Sequence, residues 1–427
     1  MKFTLPRGTR DILYPEIILW QQIEDTARRI FSVYNYREVR TPIFEETELF
    51  ERSMGESSDV VQKQMLNLAS QRVDADGKPL LSGFSLRPEG TAAVVRSYIQ
   101  NNLYKKERIS KFFYIGPMFR GERPQKGRLR QFHQIGVEVI GANTASPYLD
   151  AEVIALSVGL LKSFGLKMFK LKINTLGSSS DKNKFSGILR SLLEPKISLL
   201  CDDCQQRFDR NVFRVLDCKN KGCREVVNSL DIDYGYLSEG SIRYYEEVKT
   251  ILKDLGIEFE ESMSLVRGLD YYTHIVFEIA SDSLGSQDAL GAGGRYNNLV
   301  YELGGPQVDA VGFALGIERI LLAGSYEENT ITSHIDCFII SMQSVGLRQA
   351  FILLNELRSN GICCDLGYIG GSIKSQMRMA NKAGARFVII FGEEEVRNNE
   401  ITVKDMNDSS QERISLSKVL QYLKEKL

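Results

Sequence analysis

Between Tyr104 and Arg130 the chain carries nine basic residues against two acidic ones, Arg120, Arg123, Arg128 and Arg130 among them. A cluster of this kind suits one chemistry above others, the holding of phosphate oxygens. A charge run is more often a solvated face. Here, however, Arg120 directly follows the apolar run KFFYIGPMF, and Arg128 and Arg130 precede a second one, QFHQIGVEVIG. Apolar runs on either side of a polar loop read as a long hairpin. Arginines at the inner ends of paired strands can be held rigidly, as bidentate phosphate recognition requires. The usual nucleotide motifs are missing: there is no GxxxxGK[ST], and GAGGRY at Gly291 to Tyr296 does not fit a G-x-G-x-x-G turn. A nucleotide would have to bind by another route.

A second constellation is Cys201-x2-Cys204 followed by Cys218-x4-Cys223. Paired thiolates on two turns can complete a tetrahedron around zinc. The x4 spacing is less typical than x2, and a reducing compartment leaves thiols free, so four free thiols are the plainer reading and a structural zinc the alternative. Cys337, Cys363 and Cys364 fall in expected strands and read as small core residues. None of the three histidines, His133, His274 and His334, sits beside a serine or cysteine nucleophile in a hydrolase-like motif, which leaves triad chemistry unsupported. His133 is expected to face away from both Phe132 and Gln134 on its strand.

These residues need elements to position them. From Pro15 to about Tyr34 apolar residues recur at helical spacing, so a long amphipathic helix opens the chain. REVRTPIFEE then reads as one edge strand, because Pro42 cannot donate to a ladder. FSLRPEG precedes the helix TAAVVRSYIQNNL, and the basic hairpin follows. Between about Gly177 and Gly256 the patterns turn helical around the four clustered cysteines, as in an inserted module. FEESMSLVRG, HIVFEIAS and GAGGRYNNLVYELGG are strand-like, VGFALGIERILLAG passes from strand into helix, and GSYEENTITSHID is a polar linker. Beyond it DCFIISM, a helix ending on Gly361, ICCDL, a helix opening at Ser372, FVIIFG, EITVKD and a last helix opening near Ser415 make a compact α/β domain.

Composition bounds the rest. The 427 residues, 43% hydrophobic and 26% charged, suit a globular protein of two to four domains and exclude disorder, collagen and coiled coil. Seven cysteines argue against a disulfide framework. The start is charged where a signal peptide would need an apolar core, and no apolar run approaches the ~20 residues of a membrane span. A soluble, cytoplasmic protein with no membrane association is expected. The formal charge of −1 gives no global reason to expect nucleic acid, although the basic hairpin argues locally for it.

FRGERPQKGRLRQF resembles motif 2 of the class II aminoacyl-tRNA synthetases, through Arg120, Glu122, Arg128 and Phe132. GFALGIERI, with Gly312, Gly316 and Arg319, is similar to motif 3, and the opening helix and strand ending at Pro42 to motif 1, the family's dimer-forming element. LVRGLDYY (Leu265 to Tyr272), GAGGRY and LRPEGT (Leu86 to Thr91) resemble the peptides of the histidyl branch. One departure is Asn297-Asn298, where Asp-Gly usually follows GGRY.

The resemblance implies an α+β catalytic domain on a mostly antiparallel sheet over residues 1–325, with a helical insertion over 178–256, and a C-terminal α/β anticodon-binding domain over 333–427. It implies a homodimer that activates L-histidine with ATP and Mg2+ and transfers it to histidine tRNA. By resemblance, Arg120 holds the α-phosphate, and Arg267 lies near both the substrate carboxylate and the α-phosphate. Arg128 and Arg319 hold the γ-phosphate end of a bent ATP, Glu122 takes the adenine side, and Phe132 stacks on the ring. Glu138 and Tyr272, with Tyr271 beside them, partner the imidazole. Glu89, Thr91 and Gln134 bind the α-amino group, with Gln134 also near the reacting carboxylate. Arg123 and Gln125 read the acceptor end of the tRNA. The physical logic agrees: a carboxylate attacking phosphorus needs cations rather than a protein base. Two other readings are open: a catalytically silent relative regulating histidine biosynthesis, which would lack the signature arginines and the last domain, and a synthetase for another amino acid.

Overall fold

The computed structural model describes residues 3–55, 58–73, 79–266, 271–324, 335–368 and 371–427. The chain forms two compact units, Met1–Tyr326 and Glu327–Leu427.

The strands of the first unit are β1 (Arg37–Glu38), β2 (Phe44–Glu46), β3 (Leu66–Val73), β4 (Pro79–Leu86), β5 (Ile109–Phe119), β6 (Gln131–Gly141), β7 (Lys170–Thr175), β8 (Glu260–Glu261), β9 (Thr273–Ala280), β10 (Ala289–Arg295) and β11 (Asp309–Gly316). Eight of them make one sheet in the order β1-β5-β6-β11-β10-β9-β7-β8, and β2-β4-β3 make a small second sheet. The large sheet is antiparallel except at its edge pairs, β1 with β5 and β7 with β8. The basic hairpin is β5 and β6, paired without a slip from Ile109 opposite Gly141 to Phe119 opposite Gln131.

A strand turns alternate side chains to opposite faces, and β6 uses this to divide labour. Ile135, Val137 and Val139 join Trp20, Phe31 and the helices Glu16–Val33, Pro147–Ser163 and Glu239–Asp254 in the core on one face. Phe132, Gln134 and Glu138 line a cleft on the other. His133 packs edge-on against Trp20, ring centroids 4.9 Å apart, so the expected opposition of His133 to its neighbours holds.

REVRTPIFEE is two strands rather than one: β1 joins the large sheet, and β2 the small one. The break falls at Thr41-Pro42, where proline has no N–H to donate. Buried Arg87 occupies that gap, its guanidinium donating to the carbonyl and hydroxyl oxygens of Thr41, both at 3.0 Å, and to the Pro117 carbonyl at 2.9 Å. Among its described residues FEESMSLVRG is strand only at Glu260–Glu261; the Leu265 N–H turns back to the Ser262 carbonyl. The helix Pro147–Ser163 has no clear signal of its own in the sequence because it is apolar on most sides, with nine residues buried.

At the end of β10, Arg295 forms an ion pair with Asp150 in which both side chains are fully buried. Arg295 also donates to the Thr144 carbonyl and to Asn297 Oδ1. The asparagine that departs from Asp-Gly thus supplies the acceptor its place requires, and it takes the Ala310 N–H as well.

The second unit holds β12 (Cys337–Ser341), β13 (Cys364–Leu366), β14 (Phe387–Phe391), β15 (Glu400–Asp405) and β16 (Gln411–Ser415) in the order β13-β12-β14-β15-β16. The first three are parallel and the last two antiparallel additions. The helices Gln343–Ser359 and Val419–Lys426 cover one face and Ile373–Lys382 the other. A helix at Glu393–Asn398 and strand β16 are present where none was expected. The last helix opens after Ser415 as expected, through a 3-10 turn at Leu416–Lys418 that runs into Val419–Lys426. β16 is a mostly exposed edge, so its sequence lacks the apolar alternation of a packed strand. Cys337 and Cys364 are buried, but Cys363 is exposed. Among the described residues no helix is long and apolar enough to cross a membrane.

Candidate active site

A cleft with a cavity volume of about 170 Å³ opens on the face of the large sheet away from the three long helices. Its walls bring together Glu89, Thr91, Arg120, Glu122, Arg128, Phe132, Gln134, Glu138, Tyr271, Tyr272 and Arg319, residues spread over some 230 positions of the chain. Arg267 lies outside the described residues. Arg123 and Gln125 are exposed on the hairpin loop and do not line the cleft.

One end of the cleft is cationic. Arg120, at the end of β5, donates through Nε to the Pro88 carbonyl at 3.0 Å and lies over the Phe132 ring at 5.2 Å. Arg128 is turned inward by a tight reversal in which the backbones of Gln125 and Arg128 exchange hydrogen bonds of 3.0 and 2.9 Å. Gly127 makes that reversal possible, with φ of +75°. Arg128 pairs with Glu122 at 3.1 Å, while its Nε is buried without a partner. Arg319, in the helix Ile317–Ala323, donates to the carbonyls of Gly127 (3.1 Å) and Ala289. Among the described residues Arg120 and Arg319 form no ion pair. Partial withdrawal from water pulls the pKa values of both down, and the neighbouring Arg128 cation pulls the same way. Three guanidinium groups with one paired carboxylate are a preformed place for a polyanion.

The other end is a buried polar pocket. Glu138, 1% exposed, accepts from Thr91 Oγ1 at 2.6 Å and from the Tyr296 hydroxyl. Its carboxylate reaches across to β11, where a Cβ at Gly312 would lie 2.0 Å from Oε2, so only glycine fits there. Glu89 accepts the backbone N–H groups of Thr91 and Ala92 at 2.7 and 2.8 Å, ordering the start of the helix Thr91–Gln100. Gln134 Oε1 is buried with no partner. Tyr271 packs between Tyr272, tilted to it with centroids 4.6 Å apart, and Tyr296, edge-on at 5.5 Å. The pocket therefore offers acceptors and aromatic walls to a small polar cation or N–H donor.

Residues 8–320 match the family model for histidyl-tRNA synthetase, and residues 336–426 match that for an anticodon binding domain. The chain is 44% identical over 423 residues to the histidine–tRNA ligase of Halothermothrix orenii, covering 99% of both chains. The crystal structure of apo Staphylococcus aureus histidyl-tRNA synthetase superposes with a TM-score of 0.79 at 40% identity, covering 99% of this chain and 100% of that one. A Bacillus halodurans chain described as an ATP phosphoribosyltransferase regulatory subunit/histidyl-tRNA synthetase is more distant, with a TM-score of 0.66 and 25% identity over 91% of this chain and 98% of that one. The chain belongs to the histidyl-tRNA synthetase family.

Within a histidyl-tRNA synthetase fold two further residues belong to this site. Tyr296 bonds Glu138, although the GAGGRY peptide that contains it suggested no role for the phenol. Tyr114 on β5 is buried beside Glu138 and Glu89, and both acids raise its pKa after burial has done so. Glu318, in motif 3, is occupied with His133, accepting its backbone N–H at 2.9 Å and facing its Nδ1 at 3.0 Å; it braces the strand that carries Phe132 and Gln134.

Burial pushes the Glu138 carboxyl up to about 8 from an ordinary value near 4.5, and burial also raises Glu89. A raised carboxyl pKa means that the folded chain binds a proton the unfolded chain has released. The stabilisation is present at low pH and is lost as pH rises through the folded pKa. The ligand-free protein should therefore lose thermal stability between pH 5 and 8 from these groups, and Glu138→Gln should flatten that slope. Thermal midpoints of both proteins across this range test it; equal slopes would remove Glu138 as the source.

Proposed function

We infer that this chain ligates histidine to its tRNA in two steps within the cleft. Histidine lies with its imidazole towards Glu138 and Tyr272, beside Tyr271, and with its α-amino group towards Glu89, Thr91 and Gln134. ATP lies with its adenine on Phe132 near Glu122 and its phosphates among Arg120, Arg128 and Arg319. The histidine carboxylate attacks the α-phosphorus and pyrophosphate leaves, while Arg120, joined by Arg267, offsets charge gathering on the phosphate oxygens. The terminal ribose hydroxyl of the tRNA then attacks the carbonyl of the adenylate, and AMP leaves.

The observation that carries this reading is the cleft's polarity, with three arginines at one end and the Glu138 pocket at the other. The cleft carboxylates of Glu122 and Glu318 already face Arg128 and His133. Magnesium bound with the ATP would draw charge from the phosphates that Arg120, Arg128 and Arg319 hold. A wider groove shares Arg120, Arg128 and Arg319 with the cleft and carries charges of both signs further out, Arg224 as well as Asp202 and Asp217 among them; its arginine-lined end is where the acceptor end of the tRNA would approach. Arg123 and Gln125 stand exposed on the hairpin loop to meet it. The last unit reads the anticodon, the opening helix and β1 serve a homodimer, and the enzyme works in the cytoplasm.

Purified protein is expected to exchange labelled pyrophosphate into ATP only when histidine is present. Exchange dependent on another amino acid would move the chain to another specificity, and no exchange with any amino acid would favour the silent regulatory reading.

A further inference from the structure

The four clustered cysteines converge on one point from three short helices. Cys201 precedes the helix Asp202–Arg210, and Cys204 lies in its first turn. Cys218 follows the helix Phe213–Leu216, and Cys223 lies near the start of Lys221–Asn228. Their four Sγ atoms all lie within 4.8 Å of one another, and Cys201 and Cys218 are 3.9 Å apart. None is in a disulfide, whose sulfurs would need to approach to about 2.05 Å. Four sulfurs about 2.3 Å from a central zinc stand about 3.8 Å from one another along the edges of the tetrahedron. The observed separations fit that figure and do not fit a disulfide.

The backbone around the sulfurs adds an independent observation. The Cys201 N–H donates to Cys223 Sγ at 3.2 Å, and the Asn220 N–H donates to Cys218 Sγ at 3.4 Å. Such donors offset thiolate charge at a metal site and fix ligand orientation. Asn220 also caps the next helix, its side chain accepting the N–H groups of Gly222 and Cys223. The loop from Cys218 to Cys223 is thereby folded into a knuckle that presents both sulfurs inward.

The module also has a structural need for a cross-link. The three helices around the cysteines span 9, 4 and 8 residues, well below the length at which a helix is stable alone. The first of them buries a single side chain, Cys204. We propose that Cys201, Cys204, Cys218 and Cys223 form a structural tetrathiolate site for one zinc ion.

The site is coupled to the cleft by position. Arg207 and Arg214 from the module both pair with Asp59 at 2.7 Å, Lys63 pairs with Asp203 at 3.3 Å, and Arg210 donates to Gln62 at 3.1 Å. The segment thus gripped ends at Gln64, whose carbonyl accepts the Gly121 N–H at 2.7 Å, one residue from Arg120. The metal therefore supports a positioning contact beside the phosphate-binding end; this consequence, unlike the site itself, rests on the proposed function.

The test uses the full chain, purified under reducing conditions without chelator. Elemental analysis is expected to find about one zinc per chain, released when a mercurial blocks the thiols and lost in Cys204→Ser/Cys223→Ser. Because that variant could fail to fold, the wild-type chain stripped of metal is also titrated with Co2+, which should give the thiolate charge-transfer band and the intense visible bands of a tetrahedral CoS4 centre. A metal-free protein that takes up neither Zn2+ nor Co2+ at equimolar concentration, or iron in place of zinc in the purified chain, would overturn the proposal. Histidine-dependent pyrophosphate exchange, run in parallel, separates the two ideas: zinc bound without exchange leaves the site standing and sinks the proposed reaction.

Discussion

Replacing Arg120 with alanine is expected to slow histidyl-adenylate formation by about 10³-fold while leaving the histidine dissociation constant within a few-fold of its starting value. The argument is geometric. Arg120 ends a strand that is paired along its whole length, its Nε is tied to the Pro88 carbonyl, and its plane is supported by Phe132. A guanidinium so held loses little freedom when phosphate arrives, and it forms no ion pair among the described residues that must first be broken. Its effect should concentrate where charge develops, in the chemical step. Arg120→Lys keeps the charge but loses the planar fork and is expected to recover only part of the rate. Single-turnover adenylation measured with tight control of ATP saturation distinguishes the cases. A loss below tenfold would place the α-phosphate elsewhere.

The second large effect concerns selection of the amino acid. Glu138→Ala should reduce kcat/KM for histidine by about 10⁴-fold, because a site built on buried hydrogen bonds penalises whatever leaves them unmade. The loss has two parts. The imidazole N–H loses its acceptor, and the hydroxyls of Thr91 and Tyr296, both directed at Glu138, are left facing a void. Glu138→Gln keeps an acceptor and the shape, so it should fold normally and retain more activity than alanine. Gly312→Ala offers the same test from the opposite strand: its Cβ would meet Glu138 Oε2 at 2.0 Å and the Val137 carbonyl at 2.3 Å. Steady-state kinetics with histidine as the varied substrate, alongside thermal midpoints, would measure both changes. A Glu138→Ala enzyme with unchanged histidine kinetics would show that the imidazole binds elsewhere.

Much of this site was legible because its parts lie in locally patterned sequence. The β5–β6 hairpin shows as two apolar runs around a basic loop, and a period of two places Phe132, Gln134 and Glu138 on one face and His133 on the other. Tyr114 and Tyr296 were harder to read. A buried phenol is indistinguishable in sequence from a core aromatic, and what makes Tyr296 a partner of Glu138 is a contact between residues 158 positions apart. The helix Pro147–Ser163 and the edge strand β16 escaped for opposite reasons, one being apolar on most sides and the other exposed on most of its length.

By itself the sequence determined the local elements and the chemical types: arginines at strand ends, glycines where chains approach, four cysteines in two pairs, and peptides that resemble one family. These follow from short-range rules of period, capping and turn formation. Only the tertiary structure decided which groups share an environment. Arg120, Arg128 and Arg319 become one anion site because β5, β6 and β11 are neighbours in the sheet. Glu138 acquires a pKa of about 8 because distant strands exclude water from it. The cysteine pairs, ambiguous at their spacing, come within 4.8 Å of one another. Distance and desolvation are set by long-range packing, so no local pattern could have supplied them.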